Sequence, residues 1–479
     1  MALLKNKSDL GRWLALIILC LSDLMIVLDV TIVNVALPSI RLDLGFTEAS
    51  LIWVVNAYML TFAGFLLLGG RMADLYGQHR LFLSGLALFT LASLACGFSN
   101  SQTLLVAARA VQGLGGAIVS AVALSMIMNL FTETVERTKA LGVFGFVSAG
   151  GGSIGVLLGG LLTGTFSWHW IFLINVPIGA AVMGLSLVLL PKEQVSPSTR
   201  QLDLPGAITI TLALMLTVYG IVNANAAGWW SAQTMGLLGA ATLLLFIFFM
   251  IESRVTLPLI PLDLFRLRNL VVANIVGILW AAAMFAWFFL SALYMQRVLG
   301  YTPMQIGLAF LPTNLIMALL SLGLSAKLVM RFGIKGSLAT GILLVALGLT
   351  YFARAPLAGS FVVDMLPSML LLGLGAGMAF NPVLLAAMSA VDISQSGLAS
   401  GIVNTSFMMG GALGLAILSS LAEARTASLM SKGTTQIAAL NSGYHMAFMG
   451  GAIFALIAVV LVVVYLRSPN PDDSRSGLK

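Results

Sequence analysis

Long apolar runs, separated by short polar breaks, recur from one end of this chain to the other. Most runs hold about 20 residues, which is enough helix to cross about 30 Å of hydrocarbon. The pattern therefore predicts an all-α membrane protein. The breaks predict fourteen membrane-spanning helices, called spans 1 to 14, at 13–37, 51–69, 81–98, 103–129, 139–163, 169–190, 204–222, 233–252, 270–295, 304–328, 337–353, 361–389, 397–421 and 443–466.

The composition leaves little chain for a soluble domain. Only 9% of the 479 residues are charged and the mean hydropathy is +1.04, whereas a soluble domain carries about 25% charged residues. The first apolar run, 13–37, is too long for the apolar core of a cleaved signal peptide. It predicts an anchor that stays in the membrane.

The basic residues sort by side of the membrane. With the N-terminus inside, the span boundaries place 18 of the 24 Lys and Arg on the inner side and five on the outer side, with Arg109 left within span 4. Because Lys and Arg concentrate on the cytoplasmic side of membrane proteins, both termini are expected in the cytoplasm. The same distribution accounts for the net charge of +7 without a nucleic-acid partner.

The two ends of the chain look like copies of one unit. The turn after span 2 reads GRMADLYGQHR from Gly70, and the turn after span 10 reads AKLVMRFGIKG from Ala326, which places Gly77 opposite Gly333. Six spans precede spans 7 and 8 and six follow them, as expected for a duplicated bundle. The predicted domains are an N-terminal six-helix bundle at 1–200, two inserted helices at 201–268 and a C-terminal six-helix bundle at 269–479.

Three ionisable residues lie deep inside the apolar runs: Asp23 and Asp29 in span 1, and Arg109 in span 4. A charge in hydrocarbon costs from about 2.5 to more than 10 kcal/mol, so such residues face a cavity or a partner and indicate a functional site. At a rise of about 1.5 Å per residue, Asp29 lies roughly 12 Å and Arg109 roughly 9 Å from the outer ends of their spans. The two side chains can therefore meet.

A rearrangement of such a pair could load or release a proton, because a carboxylate beside arginine holds a proton weakly and a carboxyl group buried alone holds it tightly. The alternative is a fixed structural ion pair. Asp23 lies about 120° around the helix from Asp29. It is a candidate proton or cation site in the cavity, or else a hydrogen-bonded packing residue.

No enzyme chemistry is indicated. The sequence contains no GxxxxGK[ST] phosphate loop, and no nucleophile, base and orienting group can be assembled from it. The three histidines, His79, His169 and His445, are scattered along the chain. The sequence therefore predicts neither a metal site nor another cofactor.

Polar and aromatic residues inside the spans are candidates for a substrate cavity. A mainly apolar and aromatic pocket with one or two acids suits bulky lipophilic cations, through desolvation, cation–π contact and charge pairing. The alternative for each aromatic residue is packing or contact with lipid. The candidate cavity residues are Asn34, Asn56, Tyr58, Gln112, Trp287, Asn314, Asn381 and Asn404.

Several motifs resemble those of one transporter family, the fourteen-helix drug:proton antiporters of the major facilitator superfamily. The resemblance is carried by LDVTIVNVALP at 28–38, the turn at 70–80, RAVQGLGGA at 109–117, GGSIGVLLGG at 151–160 and WHWIFLINVPIG at 168–179. It implies a major facilitator fold of fourteen helices, with two six-helix bundles and two inserted central helices. It also implies that Arg109 takes part in proton coupling.

The resemblance further implies a conformational switch. Its candidate residues in the turn after span 2 are Gly70, Asp74, Gly77 and Arg80. In span 5 the glycines are expected to let the helix approach the opposite half closely, and these are Gly151, Gly155, Gly159 and Gly160. Val156 stands where the family has proline, which predicts a straighter helix.

The expected function is a proton-coupled multidrug efflux antiporter in the bacterial cytoplasmic (inner) membrane, working as a monomer by alternating access. Its expected partners are protons, membrane lipid and small lipophilic or cationic drugs, dyes or biocides. Two alternatives stay open. One is an exporter of a specific metabolite, such as a siderophore, an amino acid or a self-made antibiotic; the other is a membrane sensor that does not transport.

Overall fold

A computed structural model describes residues 2–131, 133–190, 203–255, 258, 266–320, 324–388 and 396–467. These ranges form an all-helical fold with fourteen helices of seven or more residues, as the apolar runs predict. Twelve of the described helices contain a stretch long and apolar enough to cross a membrane, and two shorter apolar helices, Ile154–Thr165 and Pro303–Leu319, accompany them. The predicted fold class is confirmed.

The N-terminal part contains seven helices. One predicted span, 169–190, is divided into a single turn and a longer helix at Ile174. The helices are α1 (Ala2–Leu44), α2 (Glu48–Tyr76), α3 (Gln78–Gly97), α4 (Gln102–Leu130), α5 (Thr134–Thr165), α6 (Trp170–Leu173) and α7 (Asn175–Leu189).

The inserted pair and the C-terminal part follow. A π-helical turn, Phe361–Met365, leads into the fourth of the C-terminal helices. The helices are α8 (Leu204–Ala227), α9 (Ala232–Glu252), α10 (Arg268–Arg297), α11 (Pro303–Leu319), α12 (Ser325–Phe352), α13 (Leu366–Met388), α14 (Ser396–Met430) and α15 (Gln436–Tyr465).

Matching glycines mark the same turn in the two halves. Gly77 separates α2 from α3 with φ +88°, and Gly333 kinks α12 with φ +73°. Only glycine adopts such values without strain. The kink places the predicted boundary between spans 10 and 11 inside α12, because helix hydrogen bonding continues across it.

The glycines of α5 correct one expectation. Gly151, Gly155 and Gly159 pack against α1 of the same half, where a Cβ on Gly159 would lie 2.8 Å from the Ile32 carbonyl oxygen. Gly160 alone of the four meets the opposite half, since a Cβ there would lie 3.0 Å from the backbone of α11. The close approach of α5 is therefore mainly to α1. The helix is continuous from Thr134 to Thr165.

The C-terminal half repeats this contact between α14 and α10. Gly410 on α14 lies against the backbone of Ile278, and Gly414 lies against Ala282. These contacts match those of Gly155 with Leu28 and of Gly159 with Ile32. The small residues permit the backbones to approach closely, as at other helix contacts in membranes.

Among the described residues, contacts between the two halves run from one end of the bundle into its middle, and that end is called the outer face after the orientation that the basic residues predict. Glu48, at the start of α2, forms an ion pair with Arg297, at the end of α10. Tyr444 on α15 donates to the same carboxylate at 3.5 Å. Deeper in the bundle, Asn56 Nδ2 donates to the Ala412 carbonyl of α14 at 3.1 Å. The halves are thus joined on the outer side.

The inserted hairpin, α8 and α9, lies beside the seam between the halves. Thr211 on α8 fills the space above Gly64 of α2, and Tyr219 lies 6.3 Å from Trp53 of α2 between ring centroids. Ser420 on α14 donates to the Ile221 carbonyl of α8 at 3.4 Å. One inserted helix therefore contacts both halves, whereas α9 lies mostly on the outside of the bundle.

Candidate functional site

An ion pair lies in the centre of the N-terminal half. Arg109 Nη1 on α4 donates to Asp29 Oδ2 on α1 at 2.5 Å, and the two residues are 1% and 0% exposed. The depths read from the sequence place both groups at a similar height, and the structure brings them together. Such a pair needs further hydrogen bonds to offset the desolvation of both charges.

Two amides complete the coordination of the carboxylate. Gln112 Nε2, one turn along α4, donates to Asp29 Oδ1 at 2.7 Å, and Asn175 Nδ2 on α7 donates to the same oxygen at 3.0 Å. Ser93 Oγ on α3 accepts from both amides, at 3.1 Å and 3.0 Å, and donates to the Phe172 carbonyl at 2.9 Å. Four helices thus contribute polar side chains to one fully buried network.

The guanidinium is equally well held. Its Nε donates to the Val54 carbonyl of α2 at 2.9 Å, and Nη1 also donates to Gln112 Oε1 at 2.8 Å. The Tyr58 ring lies 4.3 Å and the Phe172 ring 5.6 Å from its Cζ, within the range of cation–π attraction. The pair therefore sits in a preorganised and dry environment, where electrostatic interactions are strong.

The network corrects the placement of two candidate cavity residues. Both polar ends of the Gln112 amide are engaged, because Nε2 donates to Asp29 and Ser93 while Oε1 accepts from Arg109. Tyr58 is 1% exposed and stacks over the guanidinium. Both side chains belong to the ion-pair network in this conformation, and neither lines open space.

Three more candidate cavity residues are buried at other places. Asn56 is 0% exposed and bridges to α14. Trp287 is 1% exposed, and its ring packs against Phe310 in the core of the C-terminal half, because α10 presents it to neighbouring helices. Asn314 donates to the Phe310 carbonyl of its own helix at 3.2 Å, at the contact between α11 and α5.

Of the remaining candidates, three asparagines are half-buried and Asp23 is buried, and none of the four is among the groups described above at the ion pair. Asn34 on α1, Asn381 on α13 and Asn404 on α14 are half-buried, and Asn34 donates to its own helix at the Val30 carbonyl. Asp23 is 7% exposed, on a different face of α1 from Asp29.

The predicted switch turn is described only in part. Gly77 is buried and ends α2, Gly70 is half-buried and faces open space, and Arg80 is exposed at the start of α3. The side chain of Asp74 lies outside the described residues.

Sequence reasoning missed Ser93 and Asn175. Ser93 is a single small polar residue in an apolar run, which is common in membrane helices and carries no signal by itself. Asn175 stands in the WHWIFLINVPIG motif, and a polar amide within that apolar segment was the available signal.

The architecture and the buried ion pair together define a polytopic protein of the membrane-transporter class. The chain belongs to the Major Facilitator Superfamily, whose sequence profile matches residues 19–415. This is a family of transporters, not of enzymes. The resemblance seen in the motifs is confirmed.

Several relatives are drug-resistance and export proteins. The chain is 39% identical to the cephamycin export protein CmcT of Amycolatopsis lactamdurans, over 94% of this chain and 92% of that protein. It is 35% identical to the puromycin resistance protein pur8 of Streptomyces alboniger, over 98% and 94%. It is also 35% identical to the multidrug resistance protein Stp of Mycobacterium tuberculosis, over 87% and 76%.

A solved structure supports the fold. An auto-inhibited peptide transporter of the POT family superposes with a TM-score of 0.68, over 96% of this chain and 98% of that chain, at 16% identity. At this identity the likeness concerns the fold alone.

Proposed function

We propose that this protein exports lipophilic, cationic drugs, dyes or biocides across the bacterial cytoplasmic membrane in exchange for protons. The observation that carries the proposal is the fully buried pair of Asp29 and Arg109, in a chain related to drug-resistance and export proteins. A charged pair that only stabilised the fold could be replaced by apolar residues of similar volume at little cost.

The proposed cycle couples the charge of Asp29 to the conformation of the N-terminal half. In the ionised state, Arg109 and the two amides hold the carboxylate. When Asp29 takes a proton from the outer side, the charge attraction to Arg109 is lost and the helices that share the network, α1 and α4, can shift. Return of the proton to the cytoplasm restores the pair, and substrate moves outward in the opposite step.

The energy available is adequate for export. An inward proton gains about 2.3 kcal/mol per 100 mV of membrane potential and about 1.4 kcal/mol per unit of pH difference. Exchange of one proton for one monovalent cation moves no net charge, so the potential then contributes nothing and each unit of pH difference supports about tenfold accumulation of substrate on the outer side.

The cargo chemistry is proposed from the half-buried polar residues and the aromatic surroundings. Asn34, Asn381 and Asn404 offer hydrogen bonds from both halves, and Phe380, which is 39% exposed, offers an apolar ring. Asp23 adds an acidic side chain in the membrane-spanning part of α1. This combination favours amphipathic cations over sugars, which need more paired hydrogen-bonding groups.

A second candidate is the export of one antibiotic, or of a closely related set. It is favoured by the relatives named for cephamycin export and for tetracenomycin C resistance and export. Growth inhibition of a deletion strain separates the two candidates. Sensitisation to many unrelated cations supports multidrug export, and sensitisation to one compound class supports the narrower function.

The decisive experiment is dye efflux in everted membrane vesicles with a pH gradient that can be collapsed. Wild type is compared with Asp29→Asn and Arg109→Ala. Asp43→Asn is a matched control, because Asp43 lies exposed at the outer end of the same helix and accepts from Trp168 Nε1 at 2.8 Å. We expect gradient-driven efflux in wild type and the control, and none in the other two.

Two results would contradict the proposal. Efflux by Asp29→Asn at the wild-type rate would exclude this acid as the proton carrier. A wild-type protein that binds dye without moving protons would instead favour a membrane sensor.

A further inference from the structure

Asn175 has a donor and an acceptor in different situations. It begins α7 and is 1% exposed, and its Nδ2 donates to Asp29 Oδ1 and to Ser93 Oγ, both at 3.0 Å. Its Oδ1 is buried and has no hydrogen-bond partner among the described residues. An unpaired buried acceptor is costly and calls for an explanation.

A proton on Asp29 needs an acceptor, because a protonated carboxyl group is itself a donor. On the Oδ2 side stands Arg109, whose guanidinium has donors only. On the Oδ1 side stand two amides, and the carbonyl oxygen of Gln112 is already engaged by Arg109 at 2.8 Å. The oxygen of Asn175 is the amide acceptor beside Asp29 that remains free.

Rotation about the terminal side-chain bond of asparagine exchanges its NH2 and C=O groups. On the proposed function above, we infer that Asn175 is a positioning residue of the proton site. Its Nδ2 stabilises ionised Asp29, and after its amide turns over, its Oδ1 accepts a hydrogen bond from the protonated Oδ1 of Asp29.

The step balances without any redox partner. A proton from the water phase forms an O–H bond with Asp29 Oδ1, and the two hydrogen bonds donated by Asn175 Nδ2 break. One new bond forms, from the carboxyl O–H to Asn175 Oδ1. The reverse step returns the proton to water and restores both donated bonds.

Within the part of the chain that the structure describes, few other ionisable groups share this environment. Facing the carboxylate are Arg109 from α4 and the Tyr58 ring from α2, which packs over that arginine. Cys96 on α3 donates to Gln112 Oε1 at 3.7 Å. Asp23 lies further along α1 itself. Substitution of Asn175 leaves these groups in place, so a change in the proton affinity of the site can be assigned to the loss of the Asn175 amide.

The test uses the full-length protein in detergent and in vesicles. Difference infrared spectra between acid and alkaline pH report the C=O stretch of protonated Asp29, which Asp29→Asn identifies by removing it. Asn175→Leu keeps the branched shape of the side chain, at a somewhat larger volume, and deletes both hydrogen-bonding groups. Asn223→Leu is the matched control, because the Asn223 amide on α8 donates to the Tyr219 carbonyl of its own helix.

We expect the protonated C=O band to move to higher wavenumber in Asn175→Leu and to stay in place in Asn223→Leu. The pH of half-maximal proton uptake should move by about one unit to the alkaline side, which is a tenfold change in proton affinity. The direction follows because a hydrogen bond lost from a charged carboxylate is stronger than one lost from a neutral acid. Asn175→Gln keeps an amide, so its shift from wild type should be smaller than that of Asn175→Leu. The same variant provides the test if Asn175→Leu does not fold.

The outcomes separate this inference from the proposed function. If wild type shows no band that Asp29→Asn removes and no coupled proton movement, the proposed function fails. If wild type shows both, and Asn175→Leu and Asn175→Gln keep the band position and the pH of half-maximal uptake, the role of Asn175 is overturned while the proposed function stands.

Discussion

Two glycines of α4, Gly113 and Gly115, leave room for the backbones of α2 and α3, and two glycines of α13, Gly373 and Gly375, leave room for α11 and α12. The spacing is the same, so α4 and α13 occupy equivalent positions in the two halves. The contacts of α1 with α5 and of α10 with α14 fix a second equivalence.

At these equivalent positions the polar network of the N-terminal half is replaced by apolar side chains. All the replacements are buried or half-buried in the C-terminal half. The register of the glycine contacts gives the pairs as Asp29 with Leu279, Ser93 with Leu349, Arg109 with Met369, and Gln112 with Leu372. One backbone plan therefore surrounds a charged network in one half and a hydrophobic core in the other.

The difference teaches that the helix packing of this fold does not require the ion pair. Apolar side chains fill the equivalent space, as expected where a buried pair can be exchanged for well-packed hydrophobic residues. Retention of the charges in one half is then a matter of chemistry, which supports a role for Asp29 in carrying a proton.

The strongest test gives the N-terminal half the side chains of the other half. Arg109→Met leaves Asp29 buried without its cation, and we expect a loss of about 3–5 kcal/mol of stability together with the loss of coupled efflux. Asp29→Leu/Arg109→Met should recover most of that stability and still show no efflux. Thermal unfolding in detergent and vesicle efflux measure the two effects. A double variant as unstable as the single one would contradict the comparison.

A second test uses the shared glycines. Gly113→Ala places a Cβ against the Tyr58 backbone, and Gly373→Ala places one 2.7 Å from the Thr313 carbonyl oxygen. Both should destabilise the protein by about 1–3 kcal/mol through overpacking. Only Gly113→Ala should also change the pH dependence of efflux, because Tyr58 packs on Arg109. Equal pH profiles in the two variants would show that the network tolerates displacement of α2.

A third test separates the halves from each other at the outer face. Glu48→Gln removes the charge that pairs with Arg297, and we expect the population open to the outside to rise about tenfold, which is about 1.4 kcal/mol. Double electron–electron resonance between spin labels at Ser101→Cys and Ser431→Cys would measure this population from the distance distribution. Asp364→Asn is the control, since Asp364 accepts from Ser360 N within one half. An unchanged distance distribution would mean that the ion pair does not hold this face closed.

The smallest expected effect concerns the aromatic ring beside the guanidinium. The Tyr58 hydroxyl is buried without a hydrogen-bond partner among the described residues, so Tyr58→Phe should leave efflux within about twofold. Tyr58→Leu removes the cation–π contact, worth about 0.5–2 kcal/mol, and should weaken efflux further. Initial efflux rates at matched expression measure both. If Tyr58→Phe abolishes efflux, the hydroxyl has a role that the network does not assign to it.

The sequence was enough to predict the helices and the heights of the charged groups, because a hydrophobic run has a measurable length and a helix a fixed rise. Asp29 and Arg109 could be matched on that basis. The direction in which a side chain faces could not be predicted from the sequence. Gly151 was expected to contact the opposite half, yet it packs on α1, and Trp287 was expected in a cavity, yet it lies in a core.

The role of small polar residues could not be predicted either. Ser93 and Asn175 become significant only because helices far apart in sequence bring them to one carboxylate. The hydrophobic periodicity of a single helix does not show which other helices it contacts. Their identification required the packing of α3 and α7 against α1 and α4.

The inserted hairpin has a mechanical consequence. Because α8 is bonded to α14 through Ile221 and packed on α2 through Thr211, a rocking motion of one half against the other must shear this helix along at least one of its faces. The hairpin thus covers the joint between α2 and α14, and such a motion would have to break or slide one of its two contacts.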